Sequence, residues 1–175
     1  DGVGVFASVS RDGSLKIWNI LTPAVQEDEG GGGRVGKMCT LQSLVSVSPF
    51  VNTAAVTALD VTAGVLPASG SQGAGWLLAV GAENGLIQLW HLSQETLLNA
   101  VAEAKDGKSL VMEGALQHKY SVLPEYCHGA AVRRLRWCRD CNSDSCVEGT
   151  DTMTSIWKLA SCGDDHCVRV WTVFP

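Results

Sequence analysis

Leu159-Ala160-Ser161-Cys162-Gly163-Asp164-Asp165-His166-Cys167-Val168-Arg169-Val170-Trp171 is the stretch on which the fold turns. It reads as an apolar strand, a tight polar turn, and a second strand that alternates apolar and polar residues into a Trp. That is the pattern of a β-hairpin. The run occurs twice more, as Phe6-Ala7-Ser8-Val9-Ser10-Arg11-Asp12-Gly13-Ser14-Leu15-Lys16-Ile17-Trp18 and as Leu78-Ala79-Val80-Gly81-Ala82-Glu83-Asn84-Gly85-Leu86-Ile87-Gln88-Leu89-Trp90. In every copy Ala stands eleven residues before the Trp, and Asp or Asn six before it. A further element precedes two of the hairpins. Val56-Thr57-Ala58-Leu59-Asp60-Val61 aligns with Val132-Arg133-Arg134-Leu135-Arg136-Trp137, with Val and Leu three apart in both. The later copy also carries His128, four residues before its Val.

The 175 residues suffice for one globular domain, and 46% apolar with 18% charged residues is too greasy for a disordered chain. The net charge of −5 argues against whole-surface attraction to nucleic acid or anionic membrane. The uncharged stretch Met38 to Leu59 is interrupted by Ser, Thr, Gln, Asn and Pro49, and is not a membrane span. No secretory signal is legible. Seven cysteines are an odd and sparse set, so reduced thiols in the cytoplasm or nucleus are the expectation.

The repeated unit is strand, loop, hairpin, and it resembles the WD40 repeat, in which His is followed by Val-x-x-Leu-x-Trp and then by Leu-Ala-Ser-x-x-x-Asp-x-x-Val-x-Val-Trp. Trp to Trp here is 72 and then 81 residues, against a usual period of about 40–45, so insertions fill the surplus. They fall at residues 24–48, with Glu27-Asp28-Glu29 and the Gly30–Gly33 run, and at 62–75, 93–115 and 139–156. Within the third, Gln94 to Lys105 has helix-forming composition, and Ser93 is placed to cap it. The expected fold is all-β, a partial propeller of about two and a half four-stranded antiparallel blades. Residues 1–24 end one blade. Residues 25–48 hold the acidic and Gly-rich insertion and an outer strand. Residues 50–121 form a blade with insertions, and residues 126–175 the last one with its Cys-containing loop. A ring takes four to eight blades, so the expectation is a C-terminal portion of a longer chain, with an upstream segment supplying the outer strand of the last blade.

The resemblance implies a buried polar chain of His128, Ser161, Asp165 and Trp171 in the last copy, and of Ser8, Asp12 and Trp18 in the first. Val80 and Asn84 stand in the middle copy where Ser and Asp are expected, so apolar packing must hold that blade. Arg11, Glu83 and Asp164 occupy one equivalent position, just before the turn Asp or Asn. In propellers that position opens onto the rim where partners bind, although a turn-tip charge is also ordinary solvation. The strands and hairpins further resemble the C-terminal blades of the WD40 subunits of the Elongator complex, over about a third of the chain. That resemblance implies a non-catalytic subunit joining the catalytic and large scaffold subunits of an assembly that modifies wobble uridines of tRNA. The alternative is another WD40 adaptor, such as a ubiquitin-ligase or signalling receptor.

Three other constellations need weighing. Cys138-x-x-Cys141-x-x-x-x-Cys146, near Cys127 and His128, has half of a zinc pattern. No second Cys-x-x-Cys or His-x-x-x-His completes four ligands, so free thiols are expected, with no metal and no cofactor. Cys162-Gly163-Asp164-Asp165-His166-Cys167 suggests a Cys–His pair only in isolation; within the repeat it is a turn, and no set of nucleophile, base and oxyanion donors is assembled. Arg133 and Arg136 could meet RNA phosphate. Residues 125–175 nonetheless carry six basic and seven acidic side chains, and a strand face partly paired with neighbouring acids is the plainer expectation.

Overall fold

The computed structural model describes residues 4–21, 39–51, 54–66, 73–105, 115–139 and 157–173. They form an all-β partial propeller of three antiparallel sheets. The first is β1 (Gly4–Val9), β2 (Leu15–Leu21) and β3 (Thr40–Val47), in that order. The second is β4 (Val56–Leu66), β5 (Gly73–Ala82), β6 (Ile87–Ser93) and β7 (Leu116–Ser121). The third is β8 (Val132–Arg139), β9 (Trp157–Gly163) and β10 (Val168–Val173). The middle sheet is therefore a four-stranded meander.

Each repeated hairpin closes in the same way. In the first, the Gly13 N–H donates to the Ser10 carbonyl, and the Ser10 N–H to the Ser14 carbonyl. The turn residue accepts from the backbone two positions on: Asp12 from Ser14, Asn84 from Leu86, Asp165 from Cys167. The following residue needs positive φ, which is +82° at Gly13, +85° at Gly85 and +59° at His166. This is a three-residue loop ending in a left-handed bulge residue. Asn84 thus keeps the turn function of Asp, and the middle copy departs from the pattern less than its residues suggest. His166 bears the steric cost that glycine avoids. We expect His166→Gly to raise stability by up to about 1 kcal/mol, the relieved strain being offset in part by a more flexible unfolded chain. Urea denaturation checks this, and a loss of stability would show that the His166 side chain contributes more than its backbone costs.

The Val-x-x-Leu spacing has a geometric origin. A regular strand puts residues three apart on opposite faces. The β8–β9 register shifts between Val132 and Arg134, and the β4–β5 register between Val56 and Ala58. These β-bulges return Leu to the face of Val. Val132 and Leu135 consequently share one buried cluster, and Val56 and Leu59 pack in another.

The two clusters lie between the sheets. One joins Leu15, Ile17 and Val45 of the first sheet to Val56, Leu78 and Val80 of the second. The other joins Ala79, Ile87 and Leu89 of the second to Val132, Leu135 and Leu159 of the third. The middle sheet is thus covered on both faces. That is why β5 reads as the unbroken apolar run Leu77-Leu78-Ala79-Val80-Gly81-Ala82, all of it buried.

The described parts of two insertions are regular secondary structure. Residues 62–66 and 73–75, which belong to the insertion at 62–75, extend β4 and β5, with pairing from Thr62↔Leu77 to Leu66↔Gly73. Trp76 lies within β5. Gln94–Lys105 is a helix, α1, and the Thr96 N–H donates to Ser93 Oγ at 3.4 Å. Leu97, Ala100 and Val101 bury into the first cluster. Glu27-Asp28-Glu29 and the Gly run lie outside the described residues, as do Cys141 and Cys146. Because the strands alternate in direction, the short turns of all three sheets sit at one end, and the strand ends leading into the long insertions sit at the other.

Candidate protein-interaction site

In the last repeat a buried polar junction forms where the β7–β8 loop meets the third sheet. His128 has a fully buried side chain. Its Nδ1 lies 2.8 Å from Asp165 Oδ1 and its Nε2 lies 2.5 Å from Ser161 Oγ. A carboxylate only accepts, so Nδ1 carries the hydrogen, and on a neutral ring Nε2 accepts from the Ser161 hydroxyl. Asp165 also accepts from the Gly129 N–H at 3.1 Å and the Cys167 N–H at 3.2 Å. Burial opposes its ionisation, but hydrogen bonds from His128, Gly129 and Cys167 overcome it and hold the carboxyl far below the usual carboxylate range. Trp171 meets the His128 ring edge-on, with centroids 6.3 Å apart; the contact is aromatic.

The first sheet realises the complementary part of the pattern. Trp18 Nε1 donates to Ser8 Oγ at 2.8 Å, while Asp12 serves its own turn. In the middle sheet, Trp90 Nε1 donates to Gln88 Oε1 at 3.1 Å and its ring stands edge-on to His118. Each tryptophan thus finds a different solution at one topological position.

The two arginines considered for RNA are both ion-paired. Arg133 grips Asp164 through two bonds, Nε to Oδ1 at 2.7 Å and Nη2 to Oδ2 at 2.5 Å, and that bond holds Asp164 below its ordinary range. Arg136 Nη1 lies 3.0 Å from Asp60 Oδ1, and Asp60 Oδ2 accepts the Trp137 N–H at 2.7 Å. Asp60 belongs to β4, so this pair ties the second sheet to the third. Thr57 Oγ1 does the same by donating to the Val132 carbonyl at 2.6 Å. Sequence reading did not single out Asp60 or Thr57, and only their position in the Val-x-x-Leu element marks them. Cys127 Sγ donates to the Val122 carbonyl at 3.4 Å, and His128 is committed to Ser161 and Asp165. Among the described residues no three His, Cys, Asp or Glu side chains are grouped to hold a metal ion.

Arg11, Glu83 and Asp164 come from three different sheets, and the fold brings them to a single cleft of about 840 Å³ at the turn end. Val9 and Arg11 line it from the first sheet, Val56, Thr57, Glu83 and Asn84 from the second, and Ala130, Ala131, Arg133 and Asp164 from the third. Backbone bonds fix its walls: Val56 N–H to the Ser10 carbonyl, Glu83 N–H to the Ala55 carbonyl, and Asp164 N–H to the Ala131 carbonyl. The cleft combines small apolar surfaces with charged turn tips held on short, rigid hairpins. Such a surface can bind a partner's side chains without paying to order loops.

The WD domain, G-beta repeat family matches residues 119–172, which take in β8, β9 and nearly all of β10. Elongator complex protein 2 of Arabidopsis thaliana is 30% identical over 166 residues, which is 95% of this chain and 15% of that protein. The chain thus spans a small part of the length of the relative it matches. No helix among the described residues is long and apolar enough to cross a membrane. Three meandering sheets, one recurring hairpin with an Asx-closed turn, and a His–Ser–Asp junction agree with both comparisons: residues 119–172 carry a WD40 repeat, and the chain is similar along nearly its whole length to Elongator complex protein 2.

Proposed function

We propose that this chain is a non-catalytic platform for protein assembly, acting within an Elongator complex that modifies wobble uridines of tRNA, in the cytoplasm or nucleus. The observation that carries the platform reading is the convergence of three turn tips, Arg11, Glu83 and Asp164, on one rigid cleft. The Elongator assignment rests on the similarity to Elongator complex protein 2. The partners under this reading are the catalytic and large scaffold subunits of that assembly. Direct contact with RNA plays little part in it, because Arg133 and Arg136 are each engaged by an acid.

Affinity purification of the intact protein from its own cells, followed by mass spectrometry, tests both parts. Recovery of the catalytic and large scaffold subunits in near-equal amounts is the expected result. Recovery of a different stable client in their place would discard the Elongator assignment in favour of a general WD40 adaptor.

A further inference from the structure

We infer that the cleft at the turn end takes an acidic segment of a protein partner, with a side-chain carboxylate seated on Arg11. The inference rests on the platform reading above and adds the chemistry of the partner. Its basis is an inventory of which polar groups in the cleft are already committed. Both Asp164 oxygens are engaged by Arg133. Glu83 Oε1 accepts the Ala55 N–H at 3.1 Å. Asn84 Oδ1 accepts the Leu86 N–H, and the Thr57 hydroxyl hydrogen goes to the Val132 carbonyl. These acceptors have partners inside the protein, whereas the exposed Arg11 guanidinium has no hydrogen bond or ion pair with any described residue. The Asn84 amide belongs to the same cleft, and its bond from the Leu86 N–H engages only its oxygen. The cleft therefore presents surplus donors above small apolar walls, and a carboxylate satisfies a guanidinium with two parallel bonds.

Nucleic acid fits the same cleft poorly. Its lining has no aromatic face on which a base could stack. Glu83 and Asp164 also line the cleft, so a run of phosphates would meet two acids.

The test uses the intact protein on an array of 12-residue peptides in three matched sets, acidic, amide-substituted and basic. Preference for the acidic set is expected, falling as salt is raised. Arg11→Glu should weaken it about tenfold or more. Arg134→Glu changes the net charge equally on an exposed strand position outside the cleft, and should leave binding unaltered. Glu83→Gln keeps an oxygen for the Ala55 N–H but removes a competing charge, and should strengthen acidic binding several-fold, an effect a merely structural role would not produce. Equal losses from Arg11→Glu and Arg134→Glu would overturn the inference by reducing it to net charge. Binding that depends on Arg11 but favours neutral or basic peptides would overturn it while leaving the platform reading intact. Binding of every set that ignores Arg11 and Glu83 would remove this cleft from the platform reading as well.

Discussion

Gly85→Ala lowers the stability of the chain by about 3 kcal/mol or more. Two costs combine at this position. The backbone φ of +85° is one that a residue with a Cβ rarely adopts. A Cβ placed there would also stand 1.9 Å from the His128 carbonyl oxygen and 2.7 Å from its carbon. These obstacles are backbone atoms of the neighbouring sheet's entry loop, so no rotamer change relieves them. The His128 N–H donates to the Gly85 carbonyl across the same contact. The second sheet's turn is therefore the seat on which the loop leading into the third sheet is built. Displacing that loop moves His128, whose ring organises the third sheet. The expected readout is a lower urea midpoint, with hydrogen-exchange protection lost in β8 and β9 before β1 and β2. A cost under 1 kcal/mol would mean that the loop shifts freely and that the sheets are not coupled through this contact.

How far the sequence discloses such features depends on whether they lie within one repeat or between two. The hairpins were legible because turn chemistry is local. Asp12, Asn84 and Asp165 stand beside the strands they connect, and their alternation follows from the pleat. The capped helix Gln94–Lys105 was legible for the same reason, since Ser93 and a run of helix formers are neighbours in sequence. The cleft was half legible. Equivalence of Arg11, Glu83 and Asp164 among the repeats follows from alignment, but their convergence depends on how the sheets pack. The ties between sheets left no trace. Asp60 reaches Arg136 and Trp137 across 76 and 77 positions, and nothing in an exposed-looking Asp announces such a partner. The lengthened β4 and β5 were hidden by composition. Gly, Ala and Ser between Thr62 and Gly75 resemble a linker, yet the strands pair through backbone groups, which do not depend on the side chain. The polar pattern is distributed differently in the two repeats: Trp18 donates to Ser8 in the first sheet, while in the third His128 bonds Ser161 and Asp165 and Trp171 makes a ring contact.

The second large effect comes from His128, because among the described residues the third sheet centres a buried polar junction on that one ring. His128→Ala should cost about 3 kcal/mol. The substitution leaves a void where the ring stood and strands the Ser161 hydroxyl, which is buried at 3% exposure. It also strips Asp165 of one hydrogen bond, leaving those from Gly129 and Cys167 and the more distant Arg169 at 3.6 Å. Acid should distinguish this loss from that of a simple cavity. The folded state holds the Asp165 carboxyl well below its unfolded value near 3.9. Between those two values the unfolded chain binds more protons than the folded one, so stability is present above about pH 4 and drains away as the pH falls. His128→Ala weakens the set of bonds that depresses Asp165, and should therefore make the stability of the variant less steep below pH 4 than that of the wild type. Asp165→Asn, which has no proton to gain, should be flatter still. Denaturant midpoints at pH 6 and pH 3 for the three proteins decide the matter. Parallel losses for all three between the two pH values would show that Asp165 is not held by this network, and that His128 contributes packing alone.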